Sequence, residues 1–306
     1  MRIGVVGGGE FGRGLATTSA RAGHEVLLWS RRGGDLQVPR VKVTGSVEDL
    51  ADRQLIFLAV PSPHVTDTAR HLGPTMNGEH VLVHVSRGLV GEQLETLSHV
   101  LRSETPCRRV GALGGPLMAR ALTADEPCGV ILGTRFPEVE EAVRAALDAP
   151  TIRIERTDDI LGVEISSALV GLIALGTGYA LGHGATPDTL ALYVTRGARE
   201  AVRVVTALGG RPETFSGLAG FGDLVAAVAG DGRPEIRLGM ALAKGLDLDR
   251  AGVEAGAYIE GVFIARRVAN FAKRAGIRTP IAGVMADVVD GTIRGKDAIA
   301  ALSVSL

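Results

Sequence analysis

Lysine is scarce in this chain of 306 residues, whose 33 basic residues include only four lysines, at positions 42, 244, 273 and 296. Any mechanism that uses a lysine side chain must therefore draw on one of these four. Cysteine is scarcer still, and Cys107 and Cys128 are too few for a disulfide framework or a multi-cysteine zinc motif. This cysteine usage fits a reducing compartment.

Aromatic residues and excess charge are also lacking. Aromatics make up 4% of the chain, which leaves little material for stacking on nucleic-acid bases. The formal net charge is −1 and the pI is near 6.7, which argues against a dedicated nucleic-acid or membrane-surface binder. There is no run of about 18 apolar residues and no recognisable signal peptide. We therefore expect a soluble cytoplasmic protein with no membrane or nucleic-acid partner and no metal site.

The first half of the chain contains short apolar runs separated by helical patterns. The runs with the character of buried strands cover residues 3–6, 26–29, 55–60, 81–85, 110–113, 129–132 and 152–155. Helical spacing lies between several of them, as at 11–22 and 91–101. Strands that alternate with helices are typical of a doubly wound parallel α/β sheet of the Rossmann type.

The second half is rich in alanine, leucine and valine at helical spacing, over 160–181, 189–208 and 258–275. The helix that begins at Ile160 is apolar on nearly all sides, which predicts a central buried helix. Prolines at 187, 212, 234 and 280 stand at expected helix starts, where the missing N–H costs nothing. We predict a dinucleotide-binding Rossmann domain over 1–156 and an all-α substrate and dimerisation domain over 157–306.

A glycine-rich loop follows the first predicted strand directly. Gly7, Gly9 and Gly12 form the pattern G-x-G-x-x-G, and Glu10 and Phe11 lie within it where a helix is expected to begin. The first glycine permits a tight turn, the second lets the backbone approach a pyrophosphate, and the third lets the helix pack on the strand. The helix N-terminus then offers free N–H groups to the anion. The pattern predicts a dinucleotide cofactor.

The end of the second predicted strand bears on the choice between NAD and NADP. An acidic residue there would bind the ribose 2′-hydroxyl of NAD. The chain instead has Ser30, Arg31 and Arg32, whose charges suit the 2′-phosphate of NADP. We therefore favour NADP(H) over NAD(H); a solvated basic loop is the alternative interpretation.

Several further sequence blocks match the pattern of one known family. They include Leu58-Ala59-Val60-Pro61-Ser62, Ser86-Arg87-Gly88-Leu89, Gly162-Val163-Glu164 and Thr195-Arg196-Gly197. The most specific are Pro212-Glu213-Thr214-Phe215-Ser216-Gly217-Leu218-Ala219-Gly220-Phe221-Gly222-Asp223-Leu224 and Ile259-Glu260-Gly261-Val262. Together with the glycine loop, these blocks resemble the bacterial NAD(P)-dependent glycerol-3-phosphate dehydrogenases over nearly the whole chain.

The resemblance implies a function, a fold and a set of site residues. In that family a nicotinamide cofactor exchanges hydride with dihydroxyacetone phosphate and glycerol 3-phosphate. The second domain is then expected to resemble the C-terminal type of 6-phosphogluconate dehydrogenase. The cofactor residues implied by the resemblance are Pro61, Ala119 and Glu260. The catalytic candidates are Asp223, Arg87, Asp188 and His183.

The four catalytic candidates are suggested by different sequence observations. Asp223 matches an aspartate at the family's active site, and a structural cap is its alternative role. Arg87 stands where the family usually has lysine, and Asp188 stands where the family has asparagine. His183 follows the long helix close to where the family's substrate enters, so that it could act as an acid or base.

The sequence departs from the family where substrate is handled. The family's lysine, a general acid or base for the carbonyl oxygen, corresponds to Val170, and the asparagine after it corresponds to Gly171. The family's phosphate-binding Arg-Asn pair falls on Pro234-Glu235, flanked by Arg233 and Arg237. A carboxylate at this place would repel a phosphate dianion.

Three functions are compatible with this pattern. The first is an NADP-dependent reductase of a small carbonyl or imine other than dihydroxyacetone phosphate. The second is a residual glycerol-3-phosphate dehydrogenase with repositioned groups. The third is a catalytically silent NADP(H)-binding sensor or partner protein. A homodimer is expected, because the family's helical domains often pair.

Overall fold

The computed structural model describes residues 1–31, 33, 36–230, 233–256 and 261–304. These residues form two compact units. The first unit comprises Met1–Ser86 with Thr96–Glu164, and the second comprises Arg87–Glu95 with Ile165–Leu306. The first is an α/β unit and the second is helical, as the sequence predicts. The short segment Arg87–Glu95 belongs to the helical unit although it lies between strands of the sheet in sequence.

The first unit is built on one sheet of eight strands. The strands are β1 (Arg2–Val6), β2 (Glu25–Trp29), β3 (Lys42–Thr44), β4 (Leu55–Leu58), β5 (Val81–His84), β6 (Arg109–Gly114), β7 (Cys128–Gly133) and β8 (Ile152–Thr157). Their order across the sheet is β3-β2-β1-β4-β5-β6-β7-β8. The order reverses at β1, so that the loops after β1 and β4 flank the crevice where dinucleotides bind in such sheets.

The predicted sheet is correct in class and differs in two details. All neighbouring strands are parallel except β6 and β7, which pair antiparallel with Ala112 opposite Gly133. A buried apolar strand has the same composition in either direction, so the sequence pattern does not distinguish the two. The short strand β3 is absent from the prediction because its three residues, one exposed and two half-buried, form no apolar run.

Helices of the first unit cover the sheet. They are α1 (Glu10–Arg21), α2 (Val65–Leu72), α3 (Leu97–Glu104), α4 (Ala119–Ala124) and α5 (Pro137–Ala146). The helix predicted over 91–101 is wrong in its first half. Val90 and Glu95 instead form an isolated antiparallel bridge, and α3 begins only at Leu97.

A buried polar contact joins α3 to the segment that follows β8. The Glu164 carboxylate accepts hydrogen bonds from the Ser98 backbone N–H (2.7 Å) and hydroxyl (2.6 Å). The His84 Nε2 atom lies 3.0 Å from the same carboxylate. All three residues are at most 3% exposed. A buried carboxylate is tolerated here because the Ser98 backbone N–H and hydroxyl donate hydrogen bonds to it.

The rest of the chain is helical. Its helices are α6 (Ile160–Gly182), α7 (Pro187–Ala207), α8 (Pro212–Ser216), α9 (Asp223–Ala229), α10 (Pro234–Ala243), α11 (Leu248–Ala255), α12 (Gly261–Ala275), α13 (Pro280–Val289) and α14 (Gly295–Val304). All four prolines singled out from the sequence stand at helix starts, as predicted. The predicted helix over 258–275 is observed from Gly261, and its first three residues lie outside the described part of the chain.

Helix α6 is buried along most of its length, and from Ile165 onward it belongs to the helical unit. The expectation of no apolar run of about 18 residues is wrong here: by length and composition α6 is the one described helix that could cross a membrane. However, 94% of its apolar window is buried inside the protein. Glycines allow its neighbours to come close: a Cβ at Gly178 would overlap the Ile236 carbonyl oxygen, and one at Gly176 would overlap the Tyr193 hydroxyl. This packing agrees with a core helix, as its uniformly apolar sequence predicts.

Candidate active site

The glycine loop after β1 has the geometry that the motif requires. Gly7 has φ +120°, and a Cβ there would overlap the Ala59 carbonyl oxygen. A Cβ at Gly12 would overlap the Gly7 carbonyl oxygen. Both positions therefore exclude any side chain, for backbone reasons that do not depend on a ligand.

Gly9 differs from these two glycines, because nothing lies within 4 Å of the Cβ it lacks. As the N-cap of α1 it has no side chain to bond the first N–H groups of that helix. Glu10 is exposed and Phe11 is half-buried at this helix start. An open backbone in front of a helix N-terminus fits the pyrophosphate of a dinucleotide cofactor.

Ser30 and Arg31 follow β2 beside this loop. Ser30 is buried, and its N–H donates to the Thr44 carbonyl oxygen of β3 (3.1 Å). Its hydroxyl oxygen lies 2.9 Å from the place a Cβ of Gly8 would take. Arg31 is exposed. Arg32, the other predicted cofactor contact here, lies outside the described residues.

The cofactor residues implied by the family resemblance are partly described. Pro61 follows β4 at the sheet crevice and is half-buried. Ala119 is the first residue of α4 and is also half-buried. Glu260 lies outside the described residues. The roles of Pro61 and Ala119 stay predictions.

Two of the predicted catalytic residues meet in the helical unit. Asp223, the first residue of α9, is fully buried directly after a π-helical turn over Leu218–Gly222. The Arg87 Nη1 atom lies 3.1 Å from Asp223 Oδ2. A second arginine, Arg233, places Nη1 2.6 Å from Asp223 Oδ1. The buried carboxylate is therefore held by two guanidinium groups.

Arg233 extends this cluster to Glu235. The Arg233 Nε atom lies 3.3 Å from Glu235 Oε2. The Glu235 Oε1 atom lies 3.4 Å from the position that a Cβ on Gly171 of α6 would take. We call Arg87, Asp223, Arg233 and Glu235 the ion-pair chain. Its charges alternate and sum to zero, and it ends beside Gly171.

The electrostatics of Arg233 are set by burial and by its two carboxylates. The side chain is 3% exposed. Burial lowers the pKa of Arg233, but the charges of Asp223 and Glu235 outweigh burial and raise the pKa above its ordinary value. Its Nη2 atom has no hydrogen-bond partner among the described residues. Arg237, the other arginine that flanks the substituted pair, donates from Nε to the Ala255 carbonyl oxygen (3.0 Å).

The other predicted catalytic residues lie apart from the ion-pair chain. His183 is exposed after α6, and its ring packs edge-on against Tyr179 with centroids 4.7 Å apart. Asp188 is exposed in the first turn of α7. Among the described residues, neither bonds to a member of the ion-pair chain, so their catalytic roles stay predictions.

Val170 and Gly171 are neighbours on α6. Val170 is fully buried, and its apolar side chain cannot donate or accept a proton. In the sequence, Arg233 and Glu235 stand out only because they lie at the positions expected for the family's phosphate-binding pair. No sequence signal indicated that Arg233 turns inward to Asp223. The described residues contain no group of three or more His, Cys, Asp or Glu side chains placed to hold a metal ion.

A Rossmann-like unit with this glycine loop defines the class of dinucleotide-binding proteins. The family models for NAD-dependent glycerol-3-phosphate dehydrogenase match the chain, the N-terminal model over residues 38–139 and the C-terminal model over residues 159–300. The chain therefore belongs to the glycerol-3-phosphate dehydrogenase family.

Individual relatives agree with this assignment. The chain is 32% identical to glycerol-3-phosphate dehydrogenase [NAD(P)+] of Desulfitobacterium hafniense, over 99% of this chain and 90% of the relative. It is 35% identical to the protein of that name from Moorella thermoacetica, over 98% of this chain and 95% of the relative. The crystal structure of glycerol-3-phosphate dehydrogenase from Coxiella burnetii matches with a TM-score of 0.91 and 25% identity, covering 98% of this chain and 97% of that one.

Proposed function

We propose that this chain is an NAD(P)H-dependent oxidoreductase that transfers hydride to a small carbonyl or imine compound other than dihydroxyacetone phosphate. One observation carries the proposal: the Glu235 carboxylate lies beside Gly171 and pairs with Arg233. In the family pattern, the corresponding positions hold a phosphate-binding asparagine and a second asparagine. Here both amide side chains are missing, and the Glu235 carboxylate stands at the place of the first and beside the place of the second.

The chain also lacks the family's proton-transferring lysine, since Val170 stands at that position. A bound nicotinamide cofactor supplies the hydride. General acid–base help is typically worth about 10²–10⁴-fold in rate. Arg87 and Arg233 do not replace it, because a guanidinium stays protonated and can only donate a hydrogen bond. A substrate that needs little proton transfer from the protein fits this site better.

The charges of the ion-pair chain give a phosphate dianion no net attraction. At about 5 Å and an effective dielectric constant of about 20, Glu235 would repel a dianion by roughly 7 kcal/mol. Arg233 at a similar distance would attract it by a similar amount. The two effects cancel, so the cluster offers no net attraction to the dianion.

A second candidate is glycerol-3-phosphate dehydrogenase activity itself. The relatives favour it, because the similar proteins carry that name over nearly the full length of this chain. The retained contact of Asp223 with the cation at position 87 also supports it. In this case Arg233 would leave Asp223 and turn toward the phosphate when substrate binds.

Parallel assays separate the two candidates. NADPH and NADH oxidation is measured with dihydroxyacetone phosphate and with a panel of small ketones, 2-oxo acids and cyclic imines. We expect turnover within the panel and little or none with dihydroxyacetone phosphate. Efficient reduction of dihydroxyacetone phosphate would overturn the proposal in favour of the second candidate. Tight NADPH binding without any turnover would instead favour a sensor or partner protein.

We propose NADP(H) as the preferred cofactor. The exposed Arg31 beside Ser30, with no acidic residue at the end of β2, supports this preference. Replacing Arg31 by alanine should weaken NADPH binding about 10-fold, the worth of one charge-assisted hydrogen bond, and leave NADH binding unchanged. Fluorescence titration of both cofactors checks this; equal losses for the two would contradict it.

We also propose that the protein is a cytoplasmic homodimer. Exposed apolar side chains on the helical unit support an interface between copies: Phe221 is 58% exposed and Val225 is 51% exposed. Light scattering coupled to size-exclusion chromatography measures the mass directly. A monomer at micromolar concentration would contradict the proposal.

A further inference from the structure

The antiparallel pairing of β6 with β7 gives the sheet a second carboxyl edge. The strands β1, β4, β5 and β6 run in one direction, and their carboxyl ends lie on the side of the glycine loop. The strands β7 and β8 run the other way, so their carboxyl ends, at Gly133 and Thr157, lie at the opposite edge. In α/β sheets, ligands bind outside the carboxyl ends of the strands. This second edge therefore has the position of a ligand site.

A cavity of about 330 Å³ lies at this second edge. The six residues that line it are Arg102, Val110, Arg135, Phe136, Ile160 and Leu161. They come from the last turn of α3, the start of β6, the loop after β7 and the start of α6, and all belong to the α/β unit. The volume lies within the range of about 300–1,000 Å³ that is usual for small-molecule sites.

Four of the six lining residues are apolar. Val110 and Ile160 are buried, and Phe136 and Leu161 are half-buried. The apolar surface that these side chains turn to the cavity is best covered by an apolar group of a ligand. Each methylene group buried in this way is worth roughly a four-fold gain in affinity. The cavity therefore favours a ligand with an aliphatic or aromatic body.

The other two lining residues are arginines whose guanidinium groups are available. Arg102 is half-buried and Arg135 is exposed. Among the residues that the structure describes, neither guanidinium makes an ion pair or a hydrogen bond; the contact between Arg102 and Arg108 is made by the Arg102 carbonyl oxygen. Guanidinium groups bind carboxylates and phosphates through paired N–H donors. Two of them beside an apolar surface favour a ligand with an anionic head.

The carboxylates around the cavity leave this positive charge in place. None of the described lining residues carries a carboxylate. Of the acidic residues near it in sequence that are not exposed, Glu140 lies 2.8 Å from Arg144 and 3.3 Å from Arg156. The other, Asp159, accepts the N–H of Gly162 at Oδ1 (3.0 Å). The charges of the lining residues therefore favour an anion over a cation.

We propose that this cavity binds an amphiphile with an acidic head group, a carboxylate or a phosphate monoester, and an apolar body. Arg102 and Arg135 bind the head, and the four apolar side chains cover the body. The site is separate from the glycine loop, which lies at the opposite edge of the same sheet. It is also independent of the proposed function, because it uses neither the substrate nor the ion-pair chain.

Isothermal titration of the full chain with octanoate and with octyl phosphate tests the proposal and distinguishes the two head groups. We expect saturable binding of at least one of these acids. Octanol lacks the charge, acetate lacks the apolar body and octylammonium reverses the charge, so each should bind at least about 10-fold more weakly. Absence of saturable binding of both acids, or equal binding of octanol, would overturn the proposal.

Variants assign the binding to this cavity. Arg102→Gln and Arg135→Gln each remove a guanidinium that has no ion pair to lose, so the protein should fold. We expect affinity for the tighter-binding acid to fall about 10-fold in each variant. Arg153→Gln, which removes an exposed arginine near the start of β8 in the same unit, is the matched control and should bind as the wild type does. Equal affinity of the two variants and the control would overturn the proposal.

Cofactor competition separates this cavity from the dinucleotide crevice. The titration is repeated with protein saturated with NADPH. Affinity for the acid should be unchanged, because the cavity and the glycine loop lie at opposite edges of the sheet. Displacement of the acid by NADPH would place it in the cofactor crevice and would overturn the proposal. Failure of turnover on every substrate tested would refute the proposed function and leave this site standing.

Discussion

The glycine loop and the ion-pair chain show two ways of building a binding site. In the loop, Gly7 and Gly12 are constrained by backbone atoms, and overlap with a carbonyl oxygen excludes any side chain. In the ion-pair chain, the positions of Glu235 and Arg233 depend on which charged side chains are present. A site made of backbone tolerates wide change elsewhere in the sequence. A site made of charged side chains changes the ligand that it prefers when a few of those side chains change.

The largest loss of cofactor binding and stability is expected from Gly12→Ala, which places a side chain in the glycine loop. The added Cβ would overlap the Gly7 carbonyl oxygen, so α1 must move away from β1. We expect NADPH binding to be lost, as measured by fluorescence titration, with a lower melting temperature. Gly9→Ala is the control: its Cβ meets nothing within 4 Å, so the fold should be unchanged. Equal stability of Gly12→Ala and Gly9→Ala would contradict the backbone argument.

The reverse change should restore family chemistry to the charged site. Val170→Lys, Gly171→Asn and Glu235→Asn together supply a proton donor and remove the carboxylate that a side chain at position 171 would otherwise contact. We expect activity on dihydroxyacetone phosphate to rise about 10²–10⁴-fold, the usual worth of general acid–base catalysis.

The matched control for this triple variant is Val170→Met, Gly171→Asn and Glu235→Asn, which has a long uncharged side chain at 170. NADH or NADPH oxidation with dihydroxyacetone phosphate distinguishes the two. Equal activity in both variants would mean that position 170 does not contact the reacting oxygen. The proposed register of the family lysine would then be incorrect.

Arg233→Met tests whether the ion-pair chain is a structural unit. It leaves the fully buried Asp223 with Arg87 as its remaining charged partner, and breaking a buried pair typically costs about 3–5 kcal/mol. Urea denaturation measures the free energy of unfolding. Arg250→Met removes an exposed pair with Asp247 and should cost no more than about 1 kcal/mol. Similar losses in the two variants would refute the special role of Arg233.

The smallest expected effect is a pH dependence away from both sites. Glu200 is 4% exposed and accepts hydrogen bonds from the backbone N–H groups of Ile281 and Ala282. Burial raises the pKa of Glu200 and outweighs these hydrogen bonds. Because the folded pKa lies above the unfolded value, the contribution of Glu200 to stability is full below the unfolded pKa and declines as pH rises through the folded pKa.

Comparing wild type with Glu200→Gln isolates this contribution. As pH rises above the pKa of Glu200 in the unfolded chain, the free energy of unfolding of the wild type should fall relative to that of Glu200→Gln. Chemical denaturation across mildly acidic to neutral pH measures it. A difference that is constant with pH, or that moves the other way, would contradict the assignment.

The sequence predicted the fold class well because its signals are local. The glycine loop, the alternation of strands and helices, the prolines at helix starts and the uniformly apolar α6 each lie within a short stretch. The errors concern properties that a short stretch does not contain. The antiparallel pairing of β6 with β7 depends on which edge of the sheet receives the strand, and β3 is too short and too polar to form an apolar run.

For the candidate site, the sequence by itself predicted which positions differ from the family pattern: Val170, Gly171 and Glu235. Only the tertiary structure decided what the differences do. Arg233 and Glu235 are two residues apart, yet the guanidinium lies between Glu235 and Asp223 of another helix, and the Glu235 carboxylate lies against Gly171 of a third. Such contacts join residues distant in sequence, and Coulomb energy depends on their distance in space. The residues at positions 170, 171 and 235 can be read from the sequence, but the arrangement of charges around Glu235 exists only in the folded chain.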